Sequence, residues 1–436
     1  MRSWLVLGVA GAALAALTLG CVPPDPPPRK VLITRVSVGS DGTEGDWESA
    51  SPSLSADGRY VAFSSHATNF VPDDSNRRSD VFVHDRDTGT TTRVSVASDG
   101  TEGDDDSRTP AISADGRYVA FTSSAANLVP DDTNGATDVL VHDRDTGTTT
   151  RVSVASDGTE GEATSQHPAI SADGRYVAFT SWAANLVDDD TNELADVFVH
   201  DRDTGTTTRV SVASDGTEGD STSLYTAINA DGRYVAFSSL ASNLVPGDTN
   251  GTLDVFVHDR VTGDTTRVSF APDGSELAHD AYYPSISGDG RYVGYGSLAL
   301  NTIEGHPLGA WDVFVHDRTT GSTIEMSVAA NGRAGSSGVD SPAFSADGRY
   351  VAFSSLASNL VPGDTNDSFD VFIHDQVTGV TERVSLAHDG AQGSGHSSFA
   401  AISADGRHVA FTSHAANLVP EDTSPLRDVF VVDRGE

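Results

Sequence analysis

The sequence predicts an all-β protein, a seven-bladed β-propeller whose blades are four-stranded antiparallel sheets. One nine-residue stretch, SADGRYVAF in its fullest form, occurs in seven closely related copies. Its aspartate returns every 58 residues, from Asp57 to Asp405, and residues 31–436 make up seven such periods. Because each unit is too small to bury its apolar faces alone, a fixed period indicates one body of packed repeats.

One repeat contains four strand segments, as residues 107–154 illustrate. "PAIS" and "YVAFTS" flank the turn "ADGR", and "DVLVHD" and "TTTRVSV" flank the turn "RDTG". Gly116 and Gly147 supply the positive φ that such tight turns need. The last segment alternates and is rich in β-branched residues, which favours a strand. Each unit is therefore predicted to be an antiparallel meander.

The two ends of the repeat region predict how the ring closes. The region opens with "VLITRVSV" (Val31 to Val38), a fourth strand, and closes with "DVFVVDR" (Asp428 to Arg434), a third strand. We expect the opening strand to complete the seventh blade, which leaves no free sheet edge. The propeller is thus predicted to span residues 31–436 as one domain.

Residues 1–30 have the composition of an export segment. Arg2 precedes an apolar run from Trp4 to Leu19 and small residues follow, as in a signal peptide over residues 1–20. The run is short for a membrane span, which favours a cleaved signal over the alternative, a retained anchor helix. Cys21 is the only cysteine, and "LTLGC" resembles a bacterial lipobox, which implies lipidation of Cys21. Residues 21–30 form a Pro-rich spacer, and we expect a cell-envelope lipoprotein or, alternatively, a secreted protein.

The chain is strongly acidic, with 63 Asp+Glu against 27 Lys+Arg and a formal net charge of −36. Such a surface repels nucleic-acid phosphates and anionic lipid headgroups, whereas it attracts cations and basic partners. We therefore expect no nucleic-acid partner, membrane contact only through an N-terminal lipid, and a monomer.

The repeat motif resembles a known family. A-D-G-R-Y-V-A-F followed by D-V-F-V-H-D-R-x-T-G is similar to the WD40-like (PD40) repeats of TolB-type propellers, over all of residues 31–436. This chain departs from them at Ala56 and Ala346, where those repeats usually have Pro, and in its longer loops between second and third strands. The resemblance implies the propeller fold and a binding or scaffold role, but it names no ligand.

The long loops make one rim of the predicted ring the candidate functional face. The two tight turns of each blade lie on one rim, and the long loops, rich in acidic residues, Asn and Gly, lie on the other, where binding residues are usually found. A pattern D-x-N-x-x-x-D recurs there, and its alternating oxygens indicate Ca²⁺, the one cofactor that the sequence suggests. The alternative is that Asp and Asn fold the turn by accepting backbone N–H bonds. The pattern comprises Asp74, Asn76 and Asp80; Asp132, Asn134 and Asp138; Asp190, Asn192 and Asp196; Asp248, Asn250 and Asp254; and Asp364, Asn366 and Asp370.

Two other repeated side chains are interpreted as structural. His84 and its equivalents fall in separate blades, so they cannot converge on one ion, and we expect each to bridge strands within its blade. Arg59 and its equivalents are expected to pair with Asp85 and its equivalents near the turn rim.

The fifth repeat departs most from the others. It reads "NTIEGHPLGAWD" where its neighbour reads "NLVPGDTNGTLD". Aromatic anchors dominate recognition surfaces. His306, Trp311, Tyr282 and Tyr283 are therefore candidate ligand-binding residues, with drift of an unconstrained loop as the alternative.

No local catalytic motif occurs in the chain. The sequence has no G-x-S-x-G, no H-E-x-x-H and no cysteine in the repeat region. We therefore expect a protein that is not an enzyme, an exported propeller that binds a protein or small ligand on its long-loop face. The alternative is a carbohydrate-active enzyme or lectin that uses the acidic rim with Tyr and Trp platforms.

Overall fold

The computed structural model describes residues 32–298, 311–328, 342–420 and 422–435. Within these ranges the secondary structure consists of 28 β-strands and no helix. The strands form seven separate four-stranded antiparallel sheets. The predicted seven-bladed architecture is confirmed. Among the described residues, no helix offers an apolar stretch long enough to cross a membrane.

Each blade contributes one strand at each of four positions. The first strands are β2 Ser49–Leu54, β6 Ser107–Ile112, β10 Ser165–Ile170, β14 Ser223–Ile228, β18 Ala281–Ile286, β22 Ala343–Phe344 and β26 Ser397–Ile402. The second strands are β3 Tyr60–Ser65, β7 Tyr118–Ser123, β11 Tyr176–Ser181, β15 Tyr234–Ser239, β19 Tyr292–Leu298, β23 Tyr350–Ser355 and β27 His408–Ser413. The third strands are β4 Asp80–Asp85, β8 Asp138–Asp143, β12 Asp196–Asp201, β16 Asp254–Asp259, β20 Trp311–Asp317, β24 Asp370–Asp375 and β28 Asp428–Asp433. The fourth strands are β5 Thr90–Arg93, β9 Thr148–Arg151, β13 Thr206–Arg209, β17 Thr265–Arg267, β21 Ser322–Glu325, β25 Val380–Arg383 and, in the seventh blade, β1 Leu32–Arg35.

The blades form a closed ring around the first strands. Each first strand contacts the first strands of both neighbouring blades, and β2 contacts β26. The N-terminal strand β1 pairs antiparallel with β28, with Leu32 opposite Asp433 and Arg35 opposite Phe430. The predicted closure by the N-terminal strand is thus confirmed.

The recurring SADGRY stretch is a self-contained hairpin turn. In the second blade, Ser113 Oγ donates to Asp115 Oδ1 at 2.6 Å and accepts a bond from the Tyr118 N–H at 2.9 Å. Asp115 Oδ1 also accepts the Arg117 N–H at 2.9 Å. Gly116 has φ of 75°. Ser113 and Asp115 satisfy backbone N–H groups of this turn and Gly116 supplies its positive φ, which explains why these residue types recur. In the fourth blade Asn229 replaces the serine, and its Oδ1 accepts the equivalent Tyr234 N–H at 2.8 Å.

The hydrophobic core lies in the seams between blades. One cluster joins Val81 and Val83 of the first blade to Val119 and Phe121 of the second, all at most 1% exposed. The other clusters also pair residues of adjacent blades, so that burial of apolar area holds the ring together.

The turn rim carries the predicted structural pairs. Arg59 donates from Nε and Nη2 to the two carboxylate oxygens of Asp85, at 2.8 and 2.7 Å. This bidentate bond is the main reason that the pKa of Asp85 is lowered. His84 Nδ1 lies 2.8 Å from Thr91 Oγ1 on the next strand, as expected for a bridge within the blade.

Candidate functional site at the channel mouth

The first strands around the channel are interrupted at one repeated position. The pairing of first and second strands shifts register there, as between Ala50 and Ser53 in the first blade. The first bulged residue has a positive φ of 50–55° in six described blades, although none of these residues is glycine. Backbone strain of this kind persists only where the surroundings enforce it. The six residues are Ser51, Thr109, His167, Tyr225, Tyr283 and Phe399.

These bulge residues line a cavity of about 300 Å³ at the ring centre. The residue that follows each bulge residue in its strand also lines the cavity. This following residue is proline in four of the six blades. The fold is repeated, but the six side chains range from a serine to two tyrosines and a phenylalanine. The ring therefore presents different chemistry from each blade towards its axis.

Aromatic rings from the third to fifth blades form one continuous group, here called the aromatic arc. The ring centroids of His167 and Tyr225 lie 5.1 Å apart, and those of Tyr225 and Tyr283 lie 4.5 Å apart. Tyr282 continues the group at 6.1 Å from Tyr283 and 5.5 Å from Trp311. Tyr282 also donates from its hydroxyl to Asp280 at 2.8 Å. Burial and this carboxylate raise the pKa of Tyr282 to about 12.

A second cavity, of about 360 Å³, opens beside the first between the seventh, first and second blades. Ser51, Thr109 and Phe399 line both cavities. The second cavity is also lined by Trp47 and Glu48, which precede β2 on the long-loop rim. Trp47 is 59% exposed. We call this region the channel mouth.

Arginines outside the repeat pattern gather at this mouth. Most arginines of the chain recur at the repeat positions of Arg35, Arg59 and Arg86. In the described ranges, four do not: Arg77, Arg78, Arg108 and Arg427. Arg108 and Arg427 line the second cavity, and Arg78 precedes its lining residue Ser79. We call Arg78, Arg108 and Arg427 the arginine arc.

Each member of the arginine arc lies beside one carboxylate. Arg78 lies 3.3 Å from Asp105, Arg108 lies 3.0 Å from Asp106, and Arg427 lies 3.4 Å from Glu48. The Arg108 side chain is 53% exposed, so its ion pair is shared with solvent. Arg427 Nε is buried and has no hydrogen-bond partner among the described residues. The mouth therefore offers guanidinium N–H donors that a ligand carboxylate could reach in exchange for solvent or for these carboxylates.

The predicted calcium loops place their residues differently from an Asp-Asn-Asp ligand set. Asn76 Oδ1 accepts the Arg78 N–H at 2.6 Å, which closes the loop's own turn. Its Nδ2, the amide donor, lies toward Asp80 and also donates to the Gly103 carbonyl at 2.8 Å. Equivalent turn bonds are made by Asn134, Asn192, Asn250 and Asn366. The asparagine oxygens thus hold the turns, as the alternative interpretation proposes.

The two aspartates of each loop instead meet a glutamate from the following blade connection. In the first blade, Arg93 Nη1 lies 3.8 Å from Asp74, 3.4 Å from Asp80 and 2.5 Å from Glu102. We call each such group of three carboxylates around an arginine a seam cluster. Carboxylate oxygens that lie within 4.8 Å of one another, and that could hold a metal, occur in Asp74, Asp80 and Glu102; Asp132, Asp138 and Glu160; Asp190, Asp196 and Glu218; and Glu44, Asp422 and Asp428.

The other two predicted loops differ from these clusters in detail. Asp248 and Asp254 lie 3.5 and 3.6 Å from Arg267. Asp364 and Asp370 both lie 3.1 Å from Arg383, where Gln392 replaces the glutamate. The cluster of Glu44, Asp422 and Asp428 was missed from sequence because Ser424 stands where the pattern requires Asn, although the 58-residue period points to it.

Of the predicted ligand residues in the fifth blade, three lie in the aromatic arc and His306 lies outside the described residues. Apart from Tyr283, the bulge residues were not predicted, and neither was the arginine arc. The available signal was variation at a fixed repeat position one residue before a position that is proline in most blades.

Comparison with known proteins supports the fold. No family model matches the chain, and no curated protein does. Among solved structures, an oligogalacturonate lyase in complex with manganese is 14% identical, with a TM-score of 0.54 and 93% of each chain covered. An oligogalacturonate lyase from Vibrio parahaemolyticus is 12% identical, with a TM-score of 0.53, covering 93% of this chain and 98% of the other. TolB from Acinetobacter baumannii is 16% identical, with a TM-score of 0.41; the match covers 77% of this chain and spans 62% of that TolB.

These comparisons correct two expectations. The sequence predicted a non-catalytic binding or scaffold module and no enzyme, but two solved structures that share the fold over 93% of this chain are oligogalacturonate lyases, which are enzymes. Local motifs were a poor guide because a propeller assembles a site from single residues of different blades. Such residues stand 58 positions apart and form no contiguous motif.

Proposed function

We propose that the protein is a carbohydrate-active enzyme that binds acidic oligosaccharides at the channel mouth and cleaves them by elimination. The observation that carries the proposal is the arginine arc beside Trp47. Guanidinium groups match carboxylates in charge and geometry. An aromatic ring packs against the apolar C–H face of a sugar. A uronate, a sugar with a ring carboxylate, offers both features.

The residues at the mouth suit elimination next to a carboxylate. Arg108 and Arg427 would neutralise the carboxylate of a bound uronate, which makes the hydrogen on the adjacent C5 more acidic. The aromatic arc would carry the following sugar rings across the cavity. The similar oligogalacturonate lyases act on a substrate of this class, which supports the choice of uronates.

The described residues that line the central cavity do not form a suitable metal-binding site. The lining offers one imidazole, two phenols and no carboxylate, which is a poor donor set for Mn²⁺ or Ca²⁺. The seam clusters have suitable oxygens, but those residues line neither cavity. The second cavity adds one carboxylate and one imidazole, Glu48 and His66, and Glu48 already lies beside Arg427. No step of the proposed reaction therefore uses a metal.

The test is an assay of the full-length protein with trigalacturonate and, as a neutral comparison, cellotriose. We expect an ultraviolet-absorbing unsaturated uronate from trigalacturonate only. Arg108→Gln and Arg427→Gln should each weaken the apparent affinity for trigalacturonate about tenfold or more, as loss of a charge-assisted bond predicts. Arg77→Gln is the matched control, because Arg77 lines neither cavity. Equal turnover of the two sugars would contradict a role for the arginines.

For the seam clusters, we propose that Ca²⁺ or another hard divalent cation binds beside the arginine. Each cluster sets three carboxylates against one guanidinium, and a cation would relieve the remaining repulsion. Such binding stabilises the native state by RT ln(1 + [L]/Kd), about 2.7 kcal/mol at 100 Kd. Excess Ca²⁺ should therefore raise the melting temperature relative to chelator. An unchanged melting temperature would mean that arginine alone compensates these carboxylates.

We also propose that the protein is exported and carries lipid on Cys21, with a secreted form as the alternative. The proposal rests on the signal-like residues 1–20 and the lipobox-like "LTLGC", which lie outside the described residues. Mass spectrometry of the mature N-terminus distinguishes a diacylated Cys21 from an unmodified end.

A further inference from the structure

We infer that His167 is the proton-transfer residue of the elimination, held in place by Thr226. The inference rests on the proposed function and assigns one catalytic and one positioning residue within it. It follows from the position of His167 in the central cavity, from the hydrogen bond that Thr226 donates to its carbonyl, and from the protonation state of its imidazole ring.

His167 stands at the strained bulge position of β10 and lines the central cavity. Its counterparts in the other described blades are Ser51, Thr109, Tyr225, Tyr283 and Phe399. Among the six bulge residues, histidine is the one whose ordinary pKa lies near neutrality, so that it can both accept and release a proton at physiological pH. His167 also lies close to the channel mouth, because Thr109 lines both the cavity of His167 and that of the arginine arc.

Thr226 distinguishes the blade next to His167. Its Oγ1 donates to the His167 carbonyl at 2.7 Å, across the seam between β10 and β14. The equivalent residue is proline at Pro52, Pro110, Pro168, Pro284 and Pro342, and alanine at Ala400. Neither side chain has a hydroxyl to donate. The one described hydroxyl at this repeat position thus fixes the backbone of the one described histidine at the bulge.

The ring of His167 is set up to be neutral. Its Nδ1 is buried and has no hydrogen-bond partner among the described residues, so the charged ring, which has an N–H on both nitrogens, would leave one N–H unpaired. Burial lowers the pKa of His167 below its usual value. The titratable group packed against it is the phenol of Tyr225, with Tyr283 beyond. For Nε2 to accept a proton, the neutral ring must carry its own proton on Nδ1.

The chemical step is balanced without a further reagent. His167 Nε2 takes the C5 proton of the uronate, and the C5–H electron pair becomes the C4–C5 double bond. The C4–O bond to the neighbouring sugar breaks, and its electron pair stays on the leaving oxygen, which takes a proton from water. The imidazolium then returns its proton to solvent.

The experiment compares the full-length protein with His167→Gln, Thr226→Ala and the exposed-histidine control His388→Gln. With trigalacturonate, we expect His167→Gln to lower kcat about 100-fold or more with KM little changed. Calorimetry should show that it still binds trigalacturonate. The acid limb of the wild-type pH profile should be absent from its residual activity. Thr226→Ala should lower kcat by a smaller factor, again with KM little changed, and His388→Gln should match the wild type.

The outcomes separate the two proposals. An active wild type with His167→Gln within about threefold of it would overturn the role of His167 and leave the proposed function standing. A wild type that forms no unsaturated product would overturn both. If His167→Gln does not melt like the wild type, His167→Asn replaces it, because Asn tolerates positive φ at the bulge.

Discussion

Single residues in this fold are tied to one repeated turn geometry. Each SADGRY turn brings its glycine against an aromatic ring of the preceding blade, as Gly116 meets Tyr60. That ring lies between two guanidinium groups, with Arg59 at 4.8 Å and Arg144 at 4.4 Å from its centroid. Cation–π contacts of this kind recur around the turn rim and link neighbouring blades. The glycine therefore serves both the turn and the seam.

We predict that Gly116→Ala destabilises the protein by more than the cost of a positive φ. A Cβ at Gly116 would lie 2.1 Å from Tyr60 Cδ2, too close without displacement of the ring. Gly147 of the same blade is the matched control, because its φ of 73° is nearly the same and no atom lies within 4 Å of its added Cβ. Gly147→Ala should cost about 1–2 kcal/mol from conformation alone, and Gly116→Ala about 3 kcal/mol or more. Chemical denaturation measures both; equal losses would show that the ring moves freely.

Contacts of single residues could be predicted from the sequence where they depend only on strand register and turn type. The turn glycines, the Arg59–Asp85 pair and the His84 bridge follow from strand register and the repeat. His167 and Arg108 did not follow, because a bulge shifts the direction of the first strand by one residue. No local rule places a bulge before a proline in these strands.

The elements meet at seams that combine apolar packing with crowded charge. In the second blade, burial first and Asp138 second raise the pKa of Asp132 to about 6, although Arg151 acts in the opposite direction. A raised carboxyl pKa means that the folded state binds a proton more tightly than the unfolded chain does. Stability from this group is thus greatest at low pH and declines as the pH rises from about 4 to about 6.

We predict that Asp132→Asn removes part of this pH dependence. In chelator, and at about pH 8, the variant should be more stable than the wild type by about 1 kcal/mol, a value reduced from the full pKa shift to allow for solvent screening. At about pH 4 the difference should vanish, because Asp132 is then protonated in the native state. Asp131→Asn is the control, since Asp131 is exposed and Asn tolerates its φ of 61°. Parallel stability curves for Asp132→Asn and the wild type would contradict the assignment.

The whole molecule is a regular ring with an irregular mouth. Its architecture could be predicted because strand, turn and seam repeat every 58 residues, so seven copies support one interpretation. The site could not be predicted in the same way, because it consists of residues that depart from the repeat. Trp47, Arg108, His167 and Arg427 each belong to a different blade. Only closure of the ring brings them to one face, and closure depends on a single strand at each end of the chain.

We therefore predict that the stability of the entire ring is sensitive to β1. Ile33 is 7% exposed and packs into the core cluster of the seventh blade, whereas the adjacent Leu32 is 64% exposed. Ile33→Asp should cost about 3 kcal/mol or more, because it buries a carboxylate without a partner and removes apolar contacts. The backbone edge of β28 would then open to other chains, and light scattering should show association. Leu32→Asn introduces a polar side chain on the same strand but faces solvent and adds no charge opposite Asp433, so it should melt like the wild type. Since closure couples all seven blades, Ile33→Asp should still unfold in one transition. A separate early transition limited to the seventh blade would show that the other six blades hold without the closing strand.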